Sequence, residues 1–252
     1  MNTDDTWKRV GSENPFFGVL TDKKYKGKEL SQELLEEFYK TGEDMVAHVQ
    51  NRMKTLFPSF APENLTALDF GCGVGRLLLP IAKRTSKAIG VDVSPGMLEQ
   101  ADRAVQNAGL RNVELVLSDA QVTRVKGPVN WINSLIVFQH IPLENGYKLF
   151  DSLLSKLASP SYISVQFTIF KNPKLTQHLP EPLFIKQVEI GEYWSMGVSM
   201  SFERFTADGM AMYDYDLDQV VAIMIKHGFL NFTFDVITMG MSCSVLIFAH
   251  RP

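Results

Sequence analysis

The sequence has few cysteines, no basic excess and no long apolar run, and each shortage excludes a class of protein. Cys72 and Cys243 are the only cysteines among 252 residues, too few for a disulfide framework or a cysteine-rich zinc site. A formal net charge of −3 argues against binding along nucleic-acid phosphates. There is no uncharged apolar stretch of about 18 residues, and the first residues lack the apolar core of a signal peptide. We therefore expect a cytoplasmic protein without nucleic-acid or membrane partners.

Strand-like and helix-like segments alternate from Leu65 to about Phe170. Runs rich in strand formers, such as "TALDF" and "KAIGVDV", are separated by helical patterns such as "PGMLEQADRAVQNAG". This alternation is typical of βαβ units around a mostly parallel sheet. The continuous apolar run in "YISVQF" suits a strand that is covered on both faces. A length of 252 residues, 45% of them hydrophobic, is sufficient for one α/β domain with a sizeable core.

The segments before and after this core have their own patterns. The first 30 residues look irregular, and Ser31 is placed to cap a helix that ends at Gly42. A second helical pattern ends at Pro58. Far downstream, Asp208-Gly209 predicts the turn of a β-hairpin. We therefore predict a single domain with four consecutive parts: an N-terminal helical cap (1–60), the core with the glycine-rich segment (61–170), a substrate-side insert between the fifth strand and the next helix (171–214), and the last part of the sheet (215–252).

Three alternate glycines, Gly71, Gly73 and Gly75, follow the first predicted strand. Missing Cβ atoms at a strand-to-helix turn let a ligand approach the main chain, and ligands of open α/β sheets bind beyond the carboxyl ends of the strands. The dinucleotide fingerprint would place its third glycine at position 76, where Arg76 stands, and no Gly-Lys-Ser/Thr of a phosphate-binding loop follows. Taken alone, the glycines are also compatible with a tight structural turn.

Acidic residues stand at the ends of the next two predicted strands. Asp92 lies about twenty residues beyond the first glycine, where an acid can accept hydrogen bonds from ribose hydroxyls. Asp119 stands at the corresponding place after the third strand. Each acid alone is compatible with a helix cap or the start of a loop. Together with the glycine turn, they predict one ligand site.

From Leu65 to about Ile141 the chain resembles the class I S-adenosylmethionine-dependent methyltransferases of small-molecule type. The first family motif, acid-x-Gly-x-Gly-x-Gly, is matched by "DFGCGVG", and the next three by "GVDVSPGML", "LSDA" and "NSLIVFQHIP". The resemblance implies a Rossmann-like seven-stranded sheet of order 3-2-1-4-5-7-6, with strand 7 antiparallel and helices on both faces. "FLNFTFDVI" and "SCSVLIFAH" would be strands 6 and 7. The implied cofactor is S-adenosyl-L-methionine, with S-adenosyl-L-homocysteine as product.

Carried over residue by residue, the resemblance implies a cofactor site around the glycine turn. Gly71 and Gly73 would line the methionine part, whose carboxylate would use the helix N-terminus, and Asp69 would support the turn or the amino group. Asp92 would hold the ribose hydroxyls, and Asp119 would face the adenine amino group. The full implied set is Asp69, Gly71, Cys72, Gly73, Gly75, Arg76, Asp92, Val93, Met97, Ser118, Asp119, Ala120, Phe138 and Gln139.

His140 is the candidate catalytic residue, because "FQHIP" follows strand 4 at the mouth of the cofactor crevice. Methyl transfer is an in-line displacement, so the protein must orient the acceptor and remove a proton when the acceptor is a hydroxyl. A histidine at this place is also compatible with a structural role, in which it only orders the loop.

The acceptor is expected to bind between the cap and the insert, where aromatic residues can close an apolar pocket. These aromatics are equally compatible with the core of the cap. The candidate substrate-binding residues are Phe16, Phe17, Tyr25, His178, Tyr193 and Trp194. No His/Asp/Glu cluster has metal spacing, so no metal site is predicted, and we expect a monomer or a homodimer.

Several methyltransferase types fit less well than a small-molecule enzyme. "FQHIP" stands where amino-directed DNA methyltransferases carry Asn/Asp-Pro-Pro-Tyr/Phe, and the two-glutamate loop of arginine methyltransferases is missing. An oxygen of a natural-product or sugar-type metabolite is the favoured acceptor, ahead of nitrogen or carbon. A catalytically silent S-adenosylmethionine-binding regulatory subunit and, third, an oxidoreductase remain as alternatives.

Overall fold

A seven-stranded sheet with helices on both faces is the frame of the protein. The computed structural model describes residues 3–119, 121–171, 185–186, 199–200, 212–239 and 242–252. The strands, in chain order, are β1 (Thr66–Phe70), β2 (Lys87–Asp92), β3 (Val113–Leu117), β4 (Val129–Ser134), β5 (Leu157–Lys171), β6 (Ile185–Lys186), β7 (Ser199–Met200), β8 (Asn231–Met239) and β9 (Ser242–Arg251). All but β6 and β7, which pair separately, belong to the large sheet.

Helices precede the sheet and connect its strands. In the described part of the chain they are α1 (Thr3–Glu13), α2 (Pro15–Val19), α3 (Gln32–Leu56), α4 (Leu78–Ala82), α5 (Pro95–Asn107), α6 (Leu143–Ser155) and α7 (Leu217–Lys226). Short 3₁₀ turns occur at Lys23–Tyr25, Pro62–Asn64 and Phe138–His140. None of these described helices is both long enough and apolar enough to cross a membrane.

The strand order is β3-β2-β1-β4-β5-β9-β8. Strands β1 to β5 pair in parallel, whereas β9 runs antiparallel to both of its neighbours, β5 and β8. With β8 and β9 as the sixth and seventh strands of the sheet, this arrangement confirms the predicted order and the antiparallel strand 7. The order reverses between β1 and β4, the place where open α/β sheets bind their ligands.

Both faces of the sheet are buried against helices. On β4, successive residues point to opposite faces: Ile132 belongs to the core that includes Phe150 of α6 and Met224 of α7, and Trp131 packs in the core with Met53 of α3. Each of these side chains is fully buried, and such burial contributes about 1.5 to 3 kcal/mol per large apolar side chain. Helices therefore cover both faces of the apolar strands, as the sequence predicts.

Residues 3–19 form α1 and α2, so the prediction of an irregular first segment is wrong. Helix α1 crosses α5 at very short distance through glycines. A Cβ on Gly11 would overlap the hydroxyl of Ser94, and a Cβ on Gly96 would lie 2.6 Å from the carbonyl oxygen of Gly11. Because the contact is made by bare backbone, the sequence carries little of the apolar periodicity that reveals a packed helix.

Helix α3 is continuous, so the predicted break at Gly42 is wrong. The predicted cap is present, because the Ser31 hydroxyl accepts a hydrogen bond from the backbone N–H of Leu34 at 3.3 Å. Gly42 is buried inside the helix, where its missing side chain lets α3 lie directly on the carbonyl oxygen of Arg76. A glycine inside a helix costs up to about 1 kcal/mol relative to alanine, and this close contact accounts for its presence.

Most of the predicted insert lies outside the described residues. Of this insert, the structure describes residue 171, strands β6 and β7, which pair antiparallel, and residues 212–214. The predicted hairpin at Asp208-Gly209 lies outside the described residues.

Gly42→Ala is expected to lower the free energy of unfolding by about 1 to 3 kcal/mol. The added Cβ meets a main-chain carbonyl, which cannot rotate away as a side chain would. Urea denaturation followed by circular dichroism measures the change. The control is Thr55→Ala on the exposed side of α3, where the hydroxyl bonds the Asn51 carbonyl of the same helix; it should stay within about 0.5 kcal/mol of wild type. A Gly42→Ala protein as stable as wild type would contradict the close contact.

Candidate active site

A cavity of about 670 Å³ lies at the carboxyl ends of the central strands. One part of its wall comes from the segments that follow β1, β2, β3 and β4. Another part comes from the N-terminal helices, which contribute Thr3, Asp4, Trp7, Gly18 and Val19. Since the strand order reverses at this edge of the sheet, the cavity is the candidate site.

The turn after β1 uses backbone conformations that glycine adopts readily. Gly71, Gly73 and Gly75 have φ angles of 72°, 53° and 86°, in the left-handed region that costs other residues about 1 to 2 kcal/mol each. Gly71 donates its N–H to the carbonyl of Val91 on β2 at 2.7 Å. Gly71 and Gly73 line the cavity, whereas a Cβ on Gly75 would meet Leu79. The glycines thus make the turn and also leave its main chain open to a ligand.

Asp92, at the end of β2, ties the glycine turn to the start of α5. Its Oδ2 accepts a hydrogen bond from the N–H of Gly73, and its Oδ1 accepts one from the N–H of Ser94, both at 2.9 Å. Burial raises the pKa of Asp92, and the bonds from Ser94 and Gly73 act in the opposite direction. Asp92 lines the cavity. Each carboxylate oxygen has two acceptor sites, so the group can also receive ligand hydroxyls.

Asp119 organises its own loop. Its Oδ1 accepts from the N–H groups of Gln121 and Thr123, and its Oδ2 accepts from the Thr123 hydroxyl and the Arg124 N–H. These hydrogen bonds, the one from the Thr123 N–H first, lower the pKa of Asp119 to about 2. A carboxylate offers about four acceptor sites, and the loop uses all of them. Asp119 lines the cavity, and its contact with the adenine amino group stays a prediction of the resemblance.

Two buried side chains of opposite charge line the cavity, and each has a buried atom that lacks a hydrogen-bond partner in the described structure. Asp69 is 2% exposed; its Oδ1 accepts from Nδ2 of Asn133 at 2.8 Å, and its Oδ2 has no partner. Arg76 is 5% exposed; its Nη1 donates to the Thr41 hydroxyl at 3.4 Å, and its Nε has no partner. Such unsatisfied groups are rare and costly in folded proteins. An acid and a guanidinium that line one cavity match a ligand with both an ammonium and a carboxylate group.

The pKa of Asp69 reflects this setting. Burial raises it to about 7, although the hydrogen bond from Asn133 and the charge of Arg76 both lower it. The nearby charge of Asp92 raises it further. The carboxyl is therefore held near the point where it gains or loses its proton at neutral pH.

Helix α3 supports the glycine turn from outside the sheet. The hydroxyl of Tyr39 donates to the carbonyl of Val74 at 3.0 Å. One turn further along the helix, Gly42 lies against the backbone of Arg76, and Thr41 accepts the hydrogen bond from its guanidinium. The N-terminal cap thus fixes the position of a cavity-lining cation.

His140 also lines the cavity, and its ring lies edge-on to Trp7 with centroids 4.9 Å apart. The Thr168 hydroxyl donates to Oε1 of Gln139 at 2.9 Å, which turns the Gln139 Nε2 toward Nε2 of His140 at 3.0 Å. Because the amide nitrogen only donates, Nε2 of His140 is the acceptor in this arrangement. In the neutral ring, the hydrogen is then on Nδ1.

The structure brings most of the predicted cofactor residues to one cavity. Those that line it are Asp69, Gly71, Cys72, Gly73, Arg76, Asp92, Val93, Met97, Ser118 and Asp119, together with the candidate catalytic residue His140. Three others do not line it: Gly75 packs in the turn, Phe138 is fully buried in the core beside Phe167, and Gln139 supports His140. Ala120 lies outside the described residues.

Three of the six predicted acceptor residues lie in the described part of the chain, and they are buried in the cap. Phe16, Phe17 and Tyr25 are buried but do not line the cavity, and the rings of Phe16 and Tyr25 pack edge-on against Phe38. They form the core of the cap, which was the alternative interpretation. The remaining candidates, His178, Tyr193 and Trp194, lie outside the described residues.

Some cavity residues are absent from the predicted set. Trp7, Val137 and Tyr213 line the cavity, and Asn133 holds Asp69. For Asn133 a signal existed, because a polar residue interrupts the apolar run "NWINSLIVF" at the same strand end as the fourth motif. For Trp7 the signal was weak, since Trp7 and Val10 are the only large apolar residues of the mostly polar α1. In the described ranges, no group of three or more His, Cys, Asp or Glu residues is placed to hold a metal ion.

Part of the chain is similar to known methyltransferases. Residues 67–159 match the family model described as a methyltransferase domain. The aklanonic acid methyltransferase of Streptomyces sp. strain C5 is 29% identical over 131 residues, which are 45% of this chain and 60% of that protein. A 23S rRNA (uracil(1939)-C(5))-methyltransferase of Haemophilus influenzae is 36% identical over 69 residues, which are 26% of this chain and 15% of that protein.

A solved structure shares the fold over nearly the whole chain. The magnesium protoporphyrin IX methyltransferase from Synechocystis PCC 6803, crystallised with S-adenosylhomocysteine, aligns with a TM-score of 0.61 at 18% identity and covers 98% of this chain and 94% of that one. The methyltransferase-domain match over residues 67–159 and the shared fold agree with the resemblance to class I S-adenosylmethionine-dependent methyltransferases that "DFGCGVG" and the motifs after it carry. It spans 60% of the Streptomyces relative and a smaller share of the Haemophilus one.

Asp69→Asn is expected to stabilise the ligand-free protein at about pH 8 by roughly 1 to 4 kcal/mol. The raised pKa means that the folded state loses stability when Asp69 ionises, and neutral asparagine avoids this loss. The advantage should shrink as the pH falls from about 7 toward about 4. Urea denaturation across this range measures it.

The matched control is Asp102→Asn, at an exposed position of α5 where the carboxylate accepts from the Gln106 side chain. The difference in unfolding free energy between Asp102→Asn and wild type should not shrink as the pH falls from about 7 toward about 4. If the Asp69→Asn difference were the same at every pH, Asp69 would not have the raised pKa.

Proposed function

We propose that this protein transfers the methyl group of S-adenosylmethionine to an oxygen of a small-molecule acceptor, such as a natural product or a sugar-type metabolite. The observation that carries the proposal is the pair of buried, partly unsatisfied groups, Asp69 and Arg76, beside a glycine turn with open backbone. The methionine part of this cofactor has the two charges that such a pair would neutralise.

The cavity residues suit the cofactor part by part. Asp69 Oδ2 would accept from the ammonium group. Arg76 would hold the carboxylate, in place of the helix N-terminus that the resemblance implies, because α4 begins only at Leu78. Asp92 would receive the ribose hydroxyls while it keeps its bonds to the glycine turn, and Met97 lies on the wall beside it.

The walls contributed by α1 and α2 favour a small acceptor. Trp7 stands beside His140, and the cavity continues past Ile141 and Pro142 to Tyr213. Helix α1 and the segment after β4 thus enclose the side of the cavity on which His140 lies. This enclosure suits a compact, partly aromatic acceptor and the exclusion of water. The Streptomyces and Synechocystis relatives are named for small-molecule substrates, which supports the same choice.

The bound cofactor supplies an activated methyl group, so the protein's own residues have limited chemistry to do. They hold the cofactor's charged end, keep the acceptor in line, and take up a proton if the acceptor is a hydroxyl. His140 is the proposed base for that proton. Its Nε2 is held by Gln139, so the acceptor hydroxyl would have to replace the amide as partner.

The proposal is tested by Arg76→Met. Calorimetric titration with S-adenosylmethionine should show binding to wild type and a loss of about 10- to 100-fold in the variant, because the bond to the carboxylate is charge-assisted. 5′-Methylthioadenosine, which lacks the amino-acid part, should bind both proteins equally. The control Arg84→Met removes an arginine that pairs with Glu43 outside the cavity and should leave both affinities unchanged.

A screen of small acceptors for the mass gain of one methyl group then tests transfer itself. Wild-type protein that fails to bind S-adenosylmethionine would overturn the proposed function. Binding without transfer to any member of a broad acceptor panel would instead favour a regulatory subunit that keeps the cofactor but not the activity.

His140→Ala is expected to lower turnover with the acceptor found in that screen by about 10²- to 10⁴-fold, while the affinity for S-adenosylmethionine stays near that of wild type. Turnover is measured by the appearance of S-adenosylhomocysteine. The control His48→Ala removes an exposed histidine of α3 and should behave as wild type. Unchanged turnover in His140→Ala would retire His140 as the base.

A further inference from the structure

Three polar residues stand in one row across the middle of the sheet. Asp69 on β1 is the register partner of Asn133 on β4, which is the register partner of Ser164 on β5. They are 2%, 1% and 0% exposed, in strands whose other residues are mostly apolar. Buried polar groups cost stability unless they are hydrogen-bonded, so the row needs a physical reason.

The hydrogen bonds in this row all run toward Asp69. Nε1 of Trp131 donates to the Ser164 hydroxyl at 2.9 Å, the hydroxyl donates to Oδ1 of Asn133 at 2.8 Å, and Nδ2 of Asn133 donates to Asp69 at 2.8 Å. The indole N–H can only donate, which fixes the first bond. The Ser164 hydrogen is then available for the Asn133 oxygen.

The alternative orientation of the Asn133 amide is unfavourable. When Asp69 is ionised, a flipped amide would place its oxygen against the carboxylate, so two acceptors would face each other in a buried site. The bonds from Trp131 and Ser164 therefore select the orientation in which Asn133 donates. As a result, one oxygen of Asp69 is held, and its other oxygen has no hydrogen-bond partner in the described structure.

We propose that Trp131, Ser164 and Asn133 form a positioning relay, which holds Asp69 ready to accept the ammonium group of S-adenosylmethionine. This inference rests on the proposed function and extends it to three residues that do not line the cavity. The charged groups that act on Asp69 are Arg76, from the turn after β1, and Asp92, from the end of β2. The bond from Asn133 lowers the pKa of Asp69, so weakening that bond disfavours the ionised form that the ammonium requires.

The relay is tested with Ser164→Ala, which removes its middle link without touching Asp69. S-adenosylhomocysteine should bind about tenfold more weakly than to wild type near pH 7. The loss should decrease as the pH rises toward about 9, because Asp69 then ionises even with the higher pKa. 5′-Methylthioadenosine lacks the ammonium and should bind equally well to both proteins, which also shows that the variant is folded.

Two further variants complete the experiment. Trp131→Phe removes the first donor of the relay and should shift the pH dependence in the same direction. Ser161→Ala is the matched control, since Ser161 is fully buried on the same strand and is bonded to Arg251, but it lies outside the cavity and the relay. It should bind both compounds as wild type does.

The outcomes separate the relay from the proposed function. If wild type binds S-adenosylhomocysteine but Ser164→Ala matches Ser161→Ala at every pH, the relay is overturned and the proposed function stands. An equal loss of affinity for both compounds in Ser164→Ala would also overturn the relay, because it would mean general damage to the site. No binding by wild type would overturn the proposed function and the relay with it.

Discussion

The site depends on a short stretch of backbone without side chains, which must be held in place from outside. The glycines of the turn after β1 have left-handed φ angles, and glycine loses more conformational freedom on folding than any other residue. The turn is therefore fixed by contacts from other elements. Asp92 holds it from β2, Tyr39 and Gly42 hold it from α3, and Val137 lies over Gly71 from the segment after β4. Several parts of the chain thus converge on one loop, which explains why its geometry can serve a ligand.

The polar groups around that turn are costly for stability, and this cost points to function. A carboxyl with a pKa near 7, a buried arginine with an unsatisfied nitrogen, and a row of buried polar side chains would each be replaced by apolar residues if stability alone mattered. Proteins tend to keep such violations of local rules at functional sites. Here they are concentrated at a single edge of the sheet, next to the point where the strand order reverses.

The sequence predicts the sheet better than the parts that cover it. The strands of the core have strong patterns, and the family resemblance supplies their order, which the structure confirms. Helix α1 could not be predicted, because its contact with α5 is made through Gly11 and Gly96 rather than through an apolar stripe. A close backbone contact also explains the wrong prediction at Gly42. In a sequence, a glycine usually indicates the end of a helix, but Gly42 lies where α3 approaches the backbone of Arg76.

The site residues that stand at strand ends could be predicted from the sequence. The residues that position other side chains were harder to predict. Asp92 and the glycine turn follow from spacing alone. Asn133 and Ser164 sit inside apolar strands, and their relation to Asp69 depends on the strand register, which the sequence does not specify residue by residue. The role of Asp119 depends on the hydrogen bonds of the loop after it, and those become visible only in the folded chain.

We propose that one oppositely charged pair at the glycine turn, Asp69 and Arg76, recognises the amino-acid end of the cofactor. A crystal structure of the protein with S-adenosylhomocysteine tests it most directly. We expect the ammonium group within hydrogen-bond distance of Oδ2 of Asp69, and the carboxylate beside the guanidinium of Arg76. Electron density for the compound outside this cavity, or with its amino-acid end directed away from both residues, would contradict it.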